Sequence, residues 1–338
     1  MIPYRFRHSF RKCITALLWV AMICGVFFLC WLLWLNRYIV YTRDGAKLDF
    51  DQSPDYPQGE LAVPPTTDTT VNIYFDDGSQ TPDVDQTELK QLSGIYVTAD
   101  MLSDHFDAVV QQLKELPAGS TIMLDVKSIH GKFYYTTDLG PGSTVVPTQQ
   151  MSQLIAQLHR SGHYLIAKVP AFRDYYYAVE HVSSGIFNKN RKSLWLDPDR
   201  TYWLNPAKED ILSYLREIIT ELRLIGFDEV VLSDFSVPQN DFIYYDADPA
   251  DVIQKAATAL SAISSDTFAI SFLVTDPTFP IPEGRNRLYF ADVAAANAAA
   301  TAAATGITET DKRIVFLTNL MDTRYDPYSV LRPLEVAQ

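Results

Sequence analysis

The sequence has no cysteine after residue 30. Cys13, Cys24 and Cys30 all lie in one apolar run near the N-terminus. The rest of the chain can therefore form neither a disulfide nor a thiolate metal site. A body without cysteine fits an exported bacterial protein that folds without disulfides.

Several chemical signatures are also missing. The sequence contains no Gly-rich phosphate loop and no Gly-x-Ser-x-Gly elbow. Its later histidines show no metal-ligand spacing, and Asp246 with Asp248 is a weak signal for calcium. We therefore predict no cofactor and no metal site.

Basic residues are scarce outside the N-terminus. Residues 1–43 contain six Lys and Arg and no acid, which leaves 22 of the 28 basic residues to balance all 41 Asp and Glu. Such an acidic body repels phosphate backbones, so nucleic-acid binding is excluded as a function.

A long apolar run is present near the N-terminus. Residues 13–35 are uncharged and rich in Leu, Trp, Phe and Val, and about 20 such residues suffice to span a bilayer as a helix. The basic residues of segment 1–12 favour a cytoplasmic N-terminus. A cleaved signal peptide is the alternative, but no small-x-small cleavage pattern follows the run. We predict a transmembrane signal anchor in the cell membrane with the C-terminal part outside the cell.

The segment 36–91 is rich in Pro, Asp and Thr and has few apolar clusters. This composition predicts an extended extracellular spacer, within which 71–75 could form a short strand.

Strand and helix patterns alternate from residue 92 to 338. Segments 94–98, 121–126, 164–170, 227–233, 268–275 and 313–318 read as strands, and 288–290 as a strand or the start of an Ala-rich helix. This alternation predicts an α/β fold with a parallel sheet of the TIM-barrel type. With six or seven strands, either the spacer helps to close the barrel or the barrel is incomplete.

The segment 226–238 places an aspartate at the end of an apolar strand. Asp234 follows Val230-Val-Leu-Ser233 and precedes Phe235. In parallel α/β folds the residue just beyond the carboxyl end of a strand faces the ligand crevice. Asp234 is therefore the first catalytic candidate, and capping of the strand end is the alternative.

Five motifs in order resemble the bacterial putative glycoside hydrolase domain family, which has an amylase-like TIM barrel. They are Gly94-Ile-Tyr-Val-Thr98, Leu124-Asp-Val-Lys127 with Gly131-Lys-Phe-Tyr-Tyr135, Lys168-Val-Pro-Ala-Phe-Arg-Asp174, Trp203-Leu-Asn-Pro206 and Gly226-Phe-Asp-Glu-Val-Val-Leu-Ser-Asp234. The resemblance implies a TIM barrel and carboxylate chemistry on glycans. It departs from the family pattern after Asp234, where an arginine is missing, and after Lys127, where Ser128 and Ile129 replace acids.

Glycoside hydrolysis uses two carboxyl groups, about 5–5.5 Å apart for retention and about 6.5–9.5 Å apart for inversion. We predict Asp234, Asp125 and Asp276 as catalytic residues, with Asp234 as nucleophile or base and Asp276 as a general acid whose pKa burial would raise. A turn is the alternative for Asp276, which precedes Pro277. An ion pair between Asp125 and Lys127 is the alternative for those two residues.

Loop aromatics and bases are the candidates for sugar binding. An aromatic ring can stack on the apolar face of a pyranose, and loop aromatics indicate a ligand-facing rim. We predict seven substrate-binding residues: Lys127, Arg173, Trp195, Trp203, Tyr135, Tyr175 and Tyr244. For any one aromatic residue, covering a loop against the barrel is the alternative.

The sequence therefore predicts a membrane-anchored extracellular glycoside hydrolase that acts on cell-envelope or environmental polysaccharide. The alternative is a catalytically inactive relative that binds glycan or serves as a surface scaffold, which the departures from the family pattern favour. Both hypotheses predict a glycan partner and attachment to the membrane through residues 13–35.

Overall fold

The alternating pattern predicted from residue 92 onward forms a barrel in the computed structural model. The structure describes residues 39–42, 45–48 and 88–335. Strands β1 (Ile39–Thr42) and β2 (Gly45–Leu48) pair as an antiparallel hairpin within the segment predicted to be a spacer. The barrel belongs to a separate compact unit, residues 80–338.

Eight parallel strands build the barrel. In chain order they are β3 (Ser93–Val97), β4 (Thr121–Asp125), β5 (Tyr164–Pro170), β7 (Glu229–Ser233), β9 (Ala269–Leu273), β10 (Leu288–Ala291), β11 (Ile314–Leu317) and β12 (Ser329–Pro333). Their order around the barrel is β10-β11-β12-β3-β4-β5-β7-β9, and the ring is closed. The chain therefore has the predicted TIM-type α/β barrel.

The expectation of an incomplete barrel is wrong. The eighth strand, β12, comes from the C-terminal segment and not from the spacer, and it pairs with β3 and β11. Its five residues end on Pro333 and follow a turn-forming Tyr-Asp-Pro-Tyr segment, so its sequence pattern is weak. The segment of uncertain type is also a strand, β10, and the Ala-rich helix begins later.

Helices pack on the outside of the barrel through their apolar faces. They are α1 (Ala99–Asp104), α2 (Phe106–Lys114), α3 (Thr148–Arg160), α4 (Tyr175–Glu180), α5 (Glu209–Leu224), α6 (Pro249–Ser261), α7 (Ala298–Ala304) and α8 (Thr310–Arg313). The first helical segment is divided at His105, and the Thr98 side chain caps its N-terminus. Among the described residues no helix is long and apolar enough to cross a membrane, and the predicted anchor at 13–35 lies outside them.

Alternate residues of the strands fill the barrel interior. Met123, Ile166, Val231, Tyr289 and Val315 belong to an apolar cluster distinct from the layer between strands and helices. This alternation follows from the two-residue period of a strand. The same period places the last inward-facing residue of each strand at the mouth of the barrel.

A buried polar cluster lies near the amino-terminal ends of the strands. Glu229 forms an ion pair with Arg287, and the hydroxyls of Tyr164 and Tyr289 each donate to Glu229 at 2.9 Å. Arg287 also donates to the carbonyl oxygens of Lys90 and Lys312, at 3.0 and 2.8 Å. A buried ion pair needs such additional hydrogen bonds to offset the loss of hydration.

The connection after β5 is the longest part of the rim. It contains α4 and the two-residue strand β6 (Phe187–Asn188), which pairs antiparallel with β8 (Ile243–Tyr244) from the connection after β7. These two connections meet above the carboxyl ends of β5 and β7, and they form one wall of the cleft described next.

Candidate active site

An open cleft of about 1180 Å³ lies at the carboxyl ends of the barrel strands. Residues that end or follow β3, β4, β5, β7, β9 and β10 line it. Three of its lining residues are the predicted catalytic carboxylates Asp125, Asp234 and Asp276. A cleft at this end of a parallel barrel is where ligands bind in such folds.

Asp234 directly follows β7 and turns out of the strand. Its φ is 50°, in the left-handed region that aspartate tolerates better than most residues. The Ser233 hydroxyl donates to its Oδ2 at 3.1 Å, and its side chain is 23% exposed. Asp234 therefore faces the cleft and not the apolar interior.

Arg173, in the connection after β5, forms an ion pair with Asp234. Its Nη1 lies 3.4 Å from Asp234 Oδ1, while its Nη2 contacts Asp197 at 2.7 Å and Asp199 at 2.6 Å. The guanidinium also lies over the ring of Trp203, 5.5 Å from the centroid. Burial opposes its charge, but the hydrogen bond with Asp199 and the charges of Asp234 and Asp197 outweigh this, so the pKa of Arg173 is raised.

Asp125 and Lys168 form an ion pair on the floor of the cleft. They are register partners at the ends of β4 and β5, and Lys168 Nζ lies 2.9 Å from Asp125 Oδ1. The second oxygen of Asp125 accepts from the backbone N–H of Ala99 at 3.0 Å. Each oxygen of Asp125 therefore has a donor within hydrogen-bonding distance.

Lys127 lies along the same cleft, but its ammonium group is buried. Its Nζ is 2.7 Å from Asp174 Oδ2, and both side chains have at most 1% exposure. The hydroxyl of Tyr214 and the N–H of Tyr177 also donate to Asp174, at 3.0 and 2.8 Å. The Lys127 ammonium therefore forms an internal ion pair with Asp174 instead of facing the cleft as a substrate-binding group. The alternative predicted from the sequence, an ion pair with Asp125, is not what the structure shows.

The glycine of the second family motif makes room for this ion pair. Gly131 has φ 85°, and a Cβ at this position would lie 1.9 Å from Asp174 Oδ1. Any larger residue would displace the carboxylate that holds Lys127.

Asp276 lies three residues beyond the end of β9, in a turn. Its Oδ1 accepts from the N–H and the hydroxyl of Thr278, at 2.8 and 2.7 Å. These hydrogen bonds lower the pKa of Asp276, and the residue is exposed. The burial and the raised pKa that we expected of a general acid are absent at this residue.

The predicted aromatic residues are divided between the cleft and the outer loops. Trp203 lines the cleft, and its Nε1 donates to Asp197 at 3.0 Å. Tyr175, Tyr244 and Trp195 do not line it: Tyr175 stacks on Tyr202, and the guanidinium of Arg191 lies over the Tyr244 ring. These three residues fit the alternative of loop packing.

The prediction that Tyr135 binds substrate is wrong, because its side chain is buried. It is 1% exposed, packs edge-on against Phe133, and donates its hydroxyl to Glu221 of α5 at 2.9 Å. It anchors the loop after β4 to the outer helix layer. Burial and the charge of Glu221 both raise the pKa of Tyr135, so the phenol stays protonated.

Sequence reasoning missed two polar residues that line the cleft, Lys168 and Asp292. The alternation of Tyr164, Ile166 and Lys168 in β5 could have identified Lys168 as inward-facing. Asp292 directly follows β10, as Asp234 follows β7. Because the sequence did not show whether 288–290 is a strand or the start of a helix, Asp292 was not recognised as a residue that follows a barrel strand.

Three solved structures illustrate what the chain is similar to. One is a hypothetical protein from Ruminiclostridium thermocellum, with 17% identity over 53% of this chain and 96% of the other and a TM-score of 0.45. Another is an α-galactosidase from Lactobacillus brevis, with 10% identity, coverage of 74% and 38%, and a TM-score of 0.48.

The third is a GH36 α-galactosidase from Geobacillus stearothermophilus in complex with stachyose, with 12% identity, coverage of 74% and 41%, and a TM-score of 0.47. The chain thus spans about two fifths of each α-galactosidase. No curated protein matches the chain. Residues 94–258 match the family model described as "Putative glycosyl hydrolase domain", and this match confirms the resemblance that the ordered motifs indicate.

Proposed function

We propose that this protein is a membrane-anchored extracellular enzyme that hydrolyses glycosidic bonds in a cell-envelope or environmental polysaccharide. The main support for this proposal is the position of Asp234. This residue follows β7 in a left-handed turn, and its carboxylate lies in the cleft beside Arg173. Strained backbone at a cleft residue is typical of functional sites.

The surroundings of Asp234 place a cation and a hydroxyl beside its carboxylate. Arg173 Nη1 lies 3.4 Å from its Oδ1, and the Ser233 hydroxyl donates to its Oδ2 at 3.1 Å. An ionised carboxylate at this place can stabilise the positive charge that develops on the anomeric carbon, or attack that carbon, or activate a water.

The walls of the cleft combine polar and apolar surfaces, as sugar recognition requires. Trp203, Tyr134, Phe235 and Phe279 supply rings along the lining. The floor supplies the Asp125–Lys168 pair, whose two side chains are 15% and 26% exposed. Hydroxyl-rich ligands bind such mixtures of apolar faces and fixed hydrogen-bonding groups.

The charge of the cleft favours neutral polysaccharide over uronate-rich polysaccharide. Each Lys or Arg of its lining already has a carboxylate partner, because Lys127 pairs with Asp174, Lys168 with Asp125, and Arg173 with three aspartates. Asp100, Asp276 and Asp292 add negative charge without an ion-pair partner among the described residues. A negative cleft repels carboxylated sugars.

The extracellular location rests on the sequence. The apolar run 13–35, the basic segment before it and the cysteine-free body support export with an uncleaved anchor. Polysaccharide outside the membrane would then be the accessible substrate.

The test is release of reducing ends from a panel of neutral and uronate-rich envelope polysaccharides by the full-length chain in detergent. We expect hydrolysis of a neutral polysaccharide by the wild type, a loss of at least about 100-fold for Asp234→Asn, and no change for the exposed control Asp107→Asn. Binding of a polysaccharide by both the wild type and Asp234→Asn without release would instead show the inactive glycan-binding relative.

A further inference from the structure

Two barrel strands end in the same unusual way. Asp234 directly follows β7 and Asp292 directly follows β10, and their φ values are 50° and 57°. Among the described residues only two other non-glycine residues, Arg191 and Arg200, have positive φ, and neither follows a barrel strand. Both aspartates line the same cleft.

The position of β10 in the barrel suits a pair of opposed carboxylates. Only β9 separates β7 from β10. Neighbouring strands lie about 4.8 Å apart, so the backbones of these two strands are roughly 10 Å apart at most. Side chains that converge over the mouth from these positions can approach the separations of about 5 to 9.5 Å that glycoside hydrolases use.

Asp292 differs from three other cleft carboxylates in its electrostatic partners. Asp234 contacts Arg173, Asp125 contacts Lys168, and Asp276 accepts two hydrogen bonds from Thr278. In the described part of the chain no Lys, Arg or His lies within ion-pairing distance of Asp292. Of the two aspartates that directly follow a strand in a left-handed turn, Asp234 therefore has a cation beside it and Asp292 does not.

The phenol of Tyr96, a residue of β3, is within electrostatic reach of Asp292. Burial raises the pKa of Tyr96, the charge of Asp292 raises it further, and the charge of Lys168 lowers it. The charges of Asp292, Lys168 and Asp125 therefore all act on one phenol, and Asp292 itself is exposed.

We propose that Asp292 is the general acid that works with Asp234. This proposal rests on the proposed function, since it assigns a role within glycosidic hydrolysis. Protonated Asp292 gives its proton to the glycosidic oxygen while the C1–O bond breaks and its electron pair stays on that oxygen. The Asp234 carboxylate stabilises the developing positive charge at C1.

The cycle closes with one water. Its oxygen bonds to C1, one of its protons stays on the new hydroxyl, and the other goes to a cleft carboxylate. In the retaining course Asp234 first bonds to C1; the water oxygen then displaces it, the C1–Asp234 bond breaks with its electron pair returning to the carboxylate, and Asp292 takes the water proton directly. In the inverting course Asp234 takes that proton and passes it through solvent to restore Asp292.

The test compares Asp292→Asn with the wild type and with Asp107→Asn in the full-length chain. The probes are the polysaccharide that the wild type cleaves, together with the 2,4-dinitrophenyl and phenyl glycosides of its sugar. We expect kcat/KM of Asp292→Asn to fall by about 10²–10⁴-fold on the polysaccharide and the phenyl glycoside. The loss should be at least tenfold smaller on the dinitrophenyl glycoside, because that leaving group departs without a proton.

Any of the following results would contradict the assignment of Asp292 as the general acid. Activity of Asp292→Asn within threefold of the wild type would remove Asp292 from the reaction while leaving the proposed function intact. An equal loss on both aryl glycosides would show a structural role, which the unfolding midpoint of the variant would reveal independently. A leaving-group-dependent loss in Asp276→Asn instead would assign the acid to Asp276, and no hydrolysis by the wild type would contradict the proposed function and this inference together.

Discussion

Arg173 contacts Asp234 from a neighbouring loop, with 3.4 Å between Nη1 and Oδ1. The segment that follows Asp234 lacks the arginine of the family pattern, yet the carboxylate still has a guanidinium beside it. Arg173 also forms ion pairs with Asp197 and Asp199, and these contacts hold its guanidinium beside Asp234. We regard it as a positioning residue for Asp234.

Replacing Arg173 should therefore affect both activity and stability. Arg173→Gln leaves Asp234 and Asp197 without their cation, and we expect kcat/KM to fall at least about tenfold, in line with one lost electrostatic contact of 1.4 kcal/mol or more. The free energy of unfolding should fall by about 1–3 kcal/mol, since Trp203 and the Thr201 N–H still donate to Asp197. Kinetics and urea unfolding measure the two effects.

Arg173→Lys is the matched control for charge. It keeps the cation but cannot contact three carboxylates in the same planar geometry. We expect its activity to lie between those of the wild type and Arg173→Gln. Wild-type activity in Arg173→Gln would contradict the positioning role.

The buried Lys127–Asp174 pair should matter for folding and not for sugar binding. Lys127→Met leaves Asp174 charged and buried, and removal of one partner from such a pair costs about 3–5 kcal/mol. The double variant Lys127→Met with Asp174→Asn removes the unpaired charge and should recover at least half of that loss. Urea unfolding of the three proteins measures this.

Substrate affinity separates this account from the sequence prediction for Lys127. If the ammonium bound sugar directly, KM would rise in Lys127→Met and would stay raised in the double variant. We expect KM in the folded double variant to stay within about threefold of the wild type, since a shift of that size is under 1 kcal/mol.

Asp228 should make stability depend on pH. Burial raises the pKa of Asp228 to about 6, although the Leu165 N–H donates to its Oδ2 at 2.8 Å. Because the folded pKa lies above the unfolded value of about 4, its contribution is fully present below pH 4 and is lost as the pH rises through 6.

Asp228→Asn isolates this group, since the amide oxygen can still accept from Leu165. The free energy of unfolding of the wild type, minus that of Asp228→Asn, should fall by about 1–3 kcal/mol between pH 4 and pH 7. Urea unfolding at pH 4, 5, 6 and 7 measures the difference. A constant difference across this range would contradict the raised pKa.

The strong periodic patterns of the sequence predicted most of the barrel. Strands β4, β5 and β7 are continuous apolar runs with buried residues on both sides, so their type and order are readable. β12 is short and ends on Pro333, and its position is fixed by pairing with β3, more than 200 residues away. No local pattern carries that information.

The site was predictable where a residue ends a clear strand, as Asp125 does, or directly follows one, as Asp234 does. Asp125 and Asp234 lie in the cleft for this reason. The partner of Lys127 was not predictable, because Asp174 belongs to another loop and only the closed barrel brings the two together. Tyr135 failed as a rim residue because position in a loop does not indicate which side of that loop faces the cleft.

The central claim is that Asp234 serves water-dependent cleavage at an anomeric carbon. The most direct measurement is mass spectrometry of the products after full-length protein acts on its polysaccharide in ¹⁸O-labelled water, with Asp234→Asn alongside. The account predicts one ¹⁸O atom in each new reducing end formed by the wild type and no new ends with Asp234→Asn. Unlabelled new ends, or equal labelling by Asp234→Asn, would contradict it.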